Sequence, residues 1–450
     1  MNVLIVFVLS YVIGALSMRL IKGNRALSAG DFFLAWGLGV GISSQIVFYE
    51  IVFLNRFDFW MNTLVHLILV GILLAITVIR YRRITLNFLS DRCSLPRFFI
   101  FLSPFIMLVF FVAMGKPHGD WDAWSLWNYR ANFILRSGEY WMDIFVNGTQ
   151  GNHPWLLPFY IAHGWGLIGQ ESFLLPLGIG VVFCIATLGV LFYDLLDRFN
   201  LKVAIYSIIF IMTVPAFIFL STIQYSDILI SYYSLAAVTC LLRAVRFDDV
   251  QYFFLSGLLF GFLAFCKDQG IVIALIFIFL FFMFQRYFLS ARRHFFWLGI
   301  LPALPAIVTV KYWMSLGQTE NYAVQLEQLF DPQRWFLIAQ FIWTNVFENV
   351  TVWGYFWVLF AVTCVLCFKQ ISRFENKIVF CFLGSYIFVF LLAYLVSVYE
   401  IVWCMGTTLN RNLFQVLPLT QLMLTSLFAQ HLQQDQDMRK PGDSNLVVDH

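Results

Sequence analysis

The chain has 450 residues, of which 61% are hydrophobic and only 12% charged, and its mean hydropathy is +0.81. A soluble protein of this length carries roughly twice that charged fraction, so composition excludes a soluble domain and indicates a polytopic membrane protein. The formal net charge of +3 is too small to point to nucleic acid as a partner.

Read in chain order, apolar stretches of about 20 residues, the length a bilayer core requires, recur throughout. They predict an all-α, polytopic transmembrane helix bundle of about 13 spans by that length criterion. The spans fall near 3–18, 32–54, 60–79, 97–114, 172–193, 202–221, 227–245, 250–266, 269–289, 295–316, 351–368, 377–396 and 412–430. The first lacks a basic start and a cleavage site, which reads as an anchor rather than a signal peptide. Residues 1–96 form extra N-terminal transmembrane helices, 97–432 the main transmembrane module, and 433–450 a polar cytoplasmic tail expected to be disordered.

Most of the basic residues fall on one set of loops: Arg19 to Arg25, Arg80 to Arg97, Arg198 and Lys202, Arg243 and Arg246, Arg286 to Arg293, and Lys369 to Lys377. Arg439 and Lys440 extend the set. The positive-inside rule makes that side cytoplasmic, with the N-terminus outside and the C-terminus inside. The stretch 334–349 is short and carries Asn345 and Glu348, so it reads as a helix lying in the outer interface. Cys364 and Cys367 form a C-x-x-C inside an apolar span with no second ligand pair, which favours helix packing over metal or redox chemistry. Asn147-Gly148-Thr149 fits a glycosylation sequon on the outer side.

With this topology the unusual polar residues gather at one surface. Asp120 and Asp122 open a long outer loop, 115–169; Asp227 starts the seventh span; Lys267 and Asp268 make an outer turn; Glu400 and Arg411 flank the last outer loop. Ionisable groups at membrane depth are costly and are retained for function or pairing. After Asp122, apolar residues recur at helical spacing to Ser137, and Gly138 ends the pattern. Asp122 is therefore either a reactive carboxylate or a helix cap. His153-Pro154 and Pro158 make a rigid turn into an apolar segment.

Trp121-Asp122-Ala123-Trp124, with Arg130 eight positions after the aspartate, then His153-Pro154 and Pro158, Lys267-Asp268-Gln269-Gly270, and Asn410-Arg411-Asn412 leading to Pro418, occur in that order. The set resembles the GT-C superfamily of integral-membrane glycosyltransferases. The similarity is greatest to bacterial relatives of the protein mannosyltransferases and of the lipid A aminoarabinose transferase. It runs from about Arg97 to Gln430, outside the first three spans. Gln269 stands where relatives carry an acid, and the His-Pro turn lacks their acidic and tyrosine positions.

The resemblance implies a GT-C-like bundle with juxtamembrane helices on its outer face. It also implies an enzyme that moves a sugar from a polyprenyl-phosphate donor to an acceptor hydroxyl, with inversion if transfer is one displacement. Asp122 or Asp120 is then the base. Arg411 and Lys267 bind the donor phosphate; Arg130 joins them or forms a salt bridge. His153, Asp268 and Trp124 are expected at the sugar or acceptor, and Asp227 either holds a sugar hydroxyl or pairs with Lys267. No cofactor is required by the pattern, although a divalent metal (Mg or Mn) is compatible with its carboxylates. The acceptor is a glycolipid, polysaccharide or protein, and the setting a bacterial inner membrane. The alternative is a lipid-linked-sugar flippase or small-molecule transporter; such proteins place ionisable groups near the bilayer midplane and show internal repeats, which this chain lacks.

Overall fold

The computed structural model describes residues 2–82, 88–89, 92–147, 153–284, 291–314 and 325–438. It is helical throughout, apart from a two-residue parallel pairing of Leu27–Ser28 with Phe88–Leu89. The helices are α1 (Asn2–Lys22), α2 (Ala29–Leu54), α3 (Phe59–Tyr81), α4 (Leu95–Gly115), α5 (Asn128–Arg136), α6 (Asp143–Asn147) and α7 (Leu156–Ile168). They continue as α8 (Leu174–Arg198), α9 (Leu201–Met212), α10 (Pro215–Thr222), α11 (Asp227–Phe247), α12 (Val250–Cys266), α13 (Asp268–Met283), α14 (His294–Ile300) and α15 (Leu304–Val308). The last are α16 (Pro332–Ile342), α17 (Val350–Trp353), α18 (Phe356–Leu366), α19 (Phe368–Ile371), α20 (Phe374–Val396) and α21 (Ile401–Met438).

The described parts of the 13 expected segments are mainly helical, but 13 full spans are not shown. Among the described residues eight helices are long and apolar enough to cross a membrane, and up to ten if each of two bent pairs counts as one span. The bent pairs are α9 with α10, turned by 71°, and α14 with Leu304–Tyr312, turned by 51°. Pro215 at the start of α10 accounts for the first bend, because proline removes a backbone donor and disfavours helix in the residue before it. The 17 residues of α12 and the 16 of α13 rise only about 25 Å, short of a hydrocarbon core of about 30 Å.

The centre of the bundle is α11, buried on all sides between α12, α21, α8 and α10. α1 and α2 cross closely: a Cβ on Gly14 would come within 1.9 Å of the Ala35 carbonyl oxygen, and one on Gly39 within 1.8 Å of that of Ser10. Small residues at such crossings let backbones pack where lipid gives no hydrophobic drive. The loop expected at 115–169 holds α5, α6 and the buried helix α7. α16 is carried on by a π-helical turn, Trp343–Glu348, where an interfacial helix was expected. The helix expected to end near 430 runs to Met438, where His431 meets Asp435 at 3.7 Å and Gln370 bonds Gln434 at 3.0 Å. Cys364 and Cys367 are free thiols, as are all eight cysteines. The triplet Asn147-Gly148-Thr149 runs outside the described residues.

Candidate active site

The site begins where the backbone must turn after α4. Gly119 has φ +76°, and a Cβ there would lie 2.5 Å from the Ala123 side chain and 2.6 Å from the Ile223 carbonyl oxygen. Only glycine combines that left-handed conformation with so close an approach. The loop thereby lies against 223–224, and the Asp120 N–H donates to the Ile223 carbonyl at 3.3 Å.

Past this turn the two acids diverge. Asp120 is half exposed, accepts from the Trp121 N–H at 3.0 Å and meets Lys116 at 3.3 Å. Asp122 precedes a π-helical turn, Ala123–Trp127, and makes no side-chain capping bond, so the capping reading does not hold. Its carboxylate instead accepts from Nη1 of Arg411 at 2.5 Å, and its N–H donates to the Tyr225 hydroxyl at 3.1 Å. π-helical turns of this kind recur at functional sites because they re-aim side chains within a helix.

The facing wall comes from α11 and α21. Gln224 adopts φ +63°, a conformation that costs a non-glycine residue about 1–2 kcal/mol. It is held there by donating from Nε2 to the Pro117 carbonyl at 2.8 Å and accepting from Asn128 at 3.3 Å. The strained residue aims Tyr225 beneath Arg411, whose guanidinium lies 4.5 Å from the ring centroid. Asp227 is buried at the start of α11 and accepts from Arg411 Nε at 2.8 Å and from Gln415 Nε2 at 2.6 Å. Its carboxylate pairs with Arg411, where the sequence offered Lys267. Arg411 lies within α21 instead of in a loop. Nη2 of its guanidinium is buried and has no hydrogen-bond partner among the described residues.

The second half of the site is the turn between α12 and α13 and its surroundings. Asp268 lies 2.8 Å from Nδ1 of His153 and 2.5 Å from Nζ of Lys311. Burial, with the nearby charges of Lys267 and Arg130, lowers the pKa of His153 against the pull of Asp268, so the imidazole is neutral at pH 7 with its Nδ1 proton toward Asp268. Burial would raise the Asp268 carboxyl, but His153 and Lys311 outweigh it and hold it below its ordinary value. Lys267 is buried with its ammonium 5.7 Å from the Trp127 ring and makes no ion pair among the described residues. Burial and the charge of Arg411 pull its pKa down to about 8, although Asp227, Asp122 and Asp268 all favour the charged form. Lys267 thus sits in the field of both halves of the site. Arg130 is buried against Trp155, 4.6 Å from its centroid, with Trp127 at 5.7 Å. Among the described residues no three His, Cys, Asp or Glu side chains gather at metal-binding distance.

The structure therefore brings Asp122, Asp227 and Arg411 into contact, and His153 to Asp268, with Lys267 between the two groups. Asp120 stands apart. Trp124 is half exposed, packs edge-on against Trp121 at 4.6 Å, and lines a separate surface cavity. Tyr225, Gln415 and Lys311 escaped the sequence reading. Lys311 is a lone cation in an apolar segment, a signal visible in the sequence; Gln415 lies one turn after Arg411, which shows only once α21 is known to begin before Arg411.

Residues 152–313, about a third of the chain, match the model of the dolichyl-phosphate-mannose-protein mannosyltransferase family. No curated protein and no solved structure shows significant similarity to the chain. The matched segment runs from the His-Pro turn through Asp227, Lys267 and Asp268 to Lys311, and over it the chain is similar to membrane glycosyltransferases that draw on a lipid-phosphate-linked sugar donor.

Proposed function

We propose that the enzyme transfers one sugar from a polyprenyl-phosphate donor to an acceptor hydroxyl at the outer face of the membrane, periplasmic in a bacterial inner membrane, with inversion at the anomeric carbon. The observation that carries this reading is Arg411 bridging two carboxylates of unequal burial, Asp227 at 1% exposure and the Asp122 side chain at 24%. Asp227, backed by Gln415, anchors the guanidinium. Asp122 is the exchangeable partner: a donor phosphate competes with it for Nη1 and accepts from the unpartnered Nη2. Charge-assisted pairing of arginine with phosphate favours that exchange.

The exchange frees Asp122 to act as a base. The acceptor O–H gives its proton to the Asp122 carboxylate while its oxygen bonds to the anomeric carbon. The bond from that carbon to the donor phosphate breaks, and its electron pair leaves on polyprenyl phosphate. The transition state has oxocarbenium character, by analogy with glycoside chemistry. Arg411 and Lys267 offset the charge growing on the leaving phosphate. His153, Asp268 and Lys311 form a fixed polar wall suited to the hydroxyls of the transferred sugar, and Arg130 in its aromatic slot adds positive potential. A mostly apolar cavity of about 250 Å³ between α18, α20 and α21, lined by Trp357, Phe390, Leu409, Leu413 and Asn412 next to Arg411, supports lodging of the first isoprenoid units.

The test is transfer of label from radiolabelled polyprenyl-phosphate sugars to a membrane extract of the source cell. Asp122→Asn is expected to lower kcat by about 10³ while the protein stays folded and inserted. Wild-type activity in that variant, or a product that keeps the donor's anomeric configuration, overturns the mechanism.

A further inference from the structure

Beside the charged site lies a surface cavity of about 470 Å³ lined by Trp124, Asn128, Tyr129, Asn132, Glu171 and His118, among others. It shares with the site the π-helical turn that follows Asp122, and its wall residue Asn128 donates to Gln224, which precedes Tyr225. From these features we infer that the cavity holds the acceptor, and that the acceptor is a saccharide; this rests on the glycosyl-transfer reading above.

The hydrogen-bond polarity of the cavity can be worked out. The Pro117 carbonyl only accepts, so Gln224 donates to it from Nε2 and presents Oε1 to Asn128. Asn128 must then donate from Nδ2, which leaves Oδ1 as an acceptor, buried and without a donor among the described residues. The same logic orients Asn132: its Nδ2 donates to the Glu171 carboxylate at 2.5 Å, leaving its carbonyl oxygen as an acceptor. The second Glu171 oxygen pairs with Arg136 at 2.5 Å. The wall thus offers amide and carboxylate acceptors beside hydroxyl and amide donors of Tyr129, Ser172, Asn128 and Asn132, a mixed pattern that suits a ligand rich in hydroxyls, which both donate and accept. Trp124 and Tyr129, about half exposed, add flat aromatic faces beside these groups. A pyranose ring matches both features, with an apolar C–H face and equatorial hydroxyls at its rim. A peptide acceptor fits less well, because peptides are commonly captured on a strand edge or in an apolar groove, and this cavity is walled by helices and amides.

Saturation-transfer NMR on the full chain in nanodiscs tests the inference, using the neutral oligosaccharides that mild acid releases from source-cell envelopes as probe. Wild type and Asp122→Asn are both expected to saturate the sugar-ring protons, and only wild type to transfer label. Tyr129→Ala and Asn132→Ala are expected to raise the acceptor KM about tenfold with kcat unchanged, and to weaken the NMR response. No saturation, saturation unaltered in both variants, or displacement of the sugar by a Ser/Thr-containing peptide overturns the saccharide assignment. Transfer by Asp122→Asn overturns the catalytic reading instead, so the two failures are distinct.

Discussion

Charge is buried at both ends of this bundle, but on opposite terms. At the basic-loop end, Lys22 pairs with Asp31 at 3.3 Å, Arg243 with Asp194 at 3.1 Å and Asp197 at 2.9 Å, and Arg198 with Asp194 at 2.5 Å and Glu375 at 3.0 Å. Arg246 joins Glu375 at 2.7 Å, and Arg25 meets Asp249. Five cations meet five carboxylates, each of them paired, and the network ties the ends of α1, α2, α8, α11, α12 and α20. At the other end the carboxylates of Asp122, Asp227 and Asp268 face Arg411, Lys267 and Lys311, with His153 neutral. In the first network every cation has a carboxylate partner; in the second, Lys267 makes no ion pair among the described residues and Nη2 of Arg411 has no hydrogen-bond partner there. Burial alone therefore does not mark a functional site; the difference lies in whether each buried cation has a carboxylate of its own among the described residues.

The largest expected effect breaks the comparison directly. Arg411→Ala leaves Asp227 buried without its cation, which costs about 3–5 kcal/mol of stability, and removes the phosphate ligand as well. Transfer is expected to fall by about 10³ or more. Arg243→Met at the basic-loop end is expected to cost a similar amount of stability, yet the folded fraction keeps its kcat. Thermal unfolding in nanodiscs, read beside specific activity, separates the two. Arg411→Lys sharpens the contrast: it restores a cation but not the fork that reaches both carboxylates, so stability is expected to return in part and kcat to stay down by at least about a hundredfold.

These variants target residues that the sequence revealed to unequal degrees. Apolar runs located every long helix, because a bilayer imposes a length that composition alone can meet. Their number as full spans was not legible, since the bends at Pro215 and after Ile300 and the brevity of α12 and α13 depend on local geometry. Asp122, Asp227, Lys267 and Arg411 stood out because charge in so apolar a chain is conspicuous. Their partners did not. Asn410-Arg411-Asn412 read as the end of a loop, yet α21 runs straight through it. Each of the three bonds to a distant residue: Asn410 to Trp353 at 3.1 Å, Arg411 to the two aspartates, and Asn412 to Tyr394 at 2.9 Å. A polar triplet inside a helix is intelligible only when those tertiary bonds are known.

A medium effect concerns pH. Lys267 makes no ion pair among the described residues, and its pKa of about 8 places its titration near working pH. A bound phosphate stabilises the ammonium and raises that pKa, so donor binding takes up a proton when pH is near or above 8. Donor affinity is therefore expected to fall as pH rises through about 8 and to level off below about 7. Lys267→Arg, charged throughout, is expected to lose this limb; Lys267→Met is expected to bind about ten- to a hundredfold more weakly with no such limb. Titration of fluorescent polyprenyl-phosphate sugar into nanodisc-embedded protein between pH 6 and pH 9.5 reads all three. An unaltered limb in Lys267→Arg would assign it to another group.

The smallest effect separates the neighbouring acids. Asp120 and Asp122 stand two residues apart in one acidic motif, and the sequence favoured Asp122 by motif position alone, with Asp120 close behind. Asp120 bonds the Trp121 backbone and a half-exposed Lys116. An exposed pair of that kind contributes about 0–1 kcal/mol. Asp120→Asn preserves the backbone acceptor and removes only that exposed charge pair, so kcat is expected to remain within about threefold of wild type. If Asp120→Asn matched the loss in Asp122→Asn, the ion pair to Arg411 would no longer distinguish the base, and the proton would have to leave by the more exposed carboxylate.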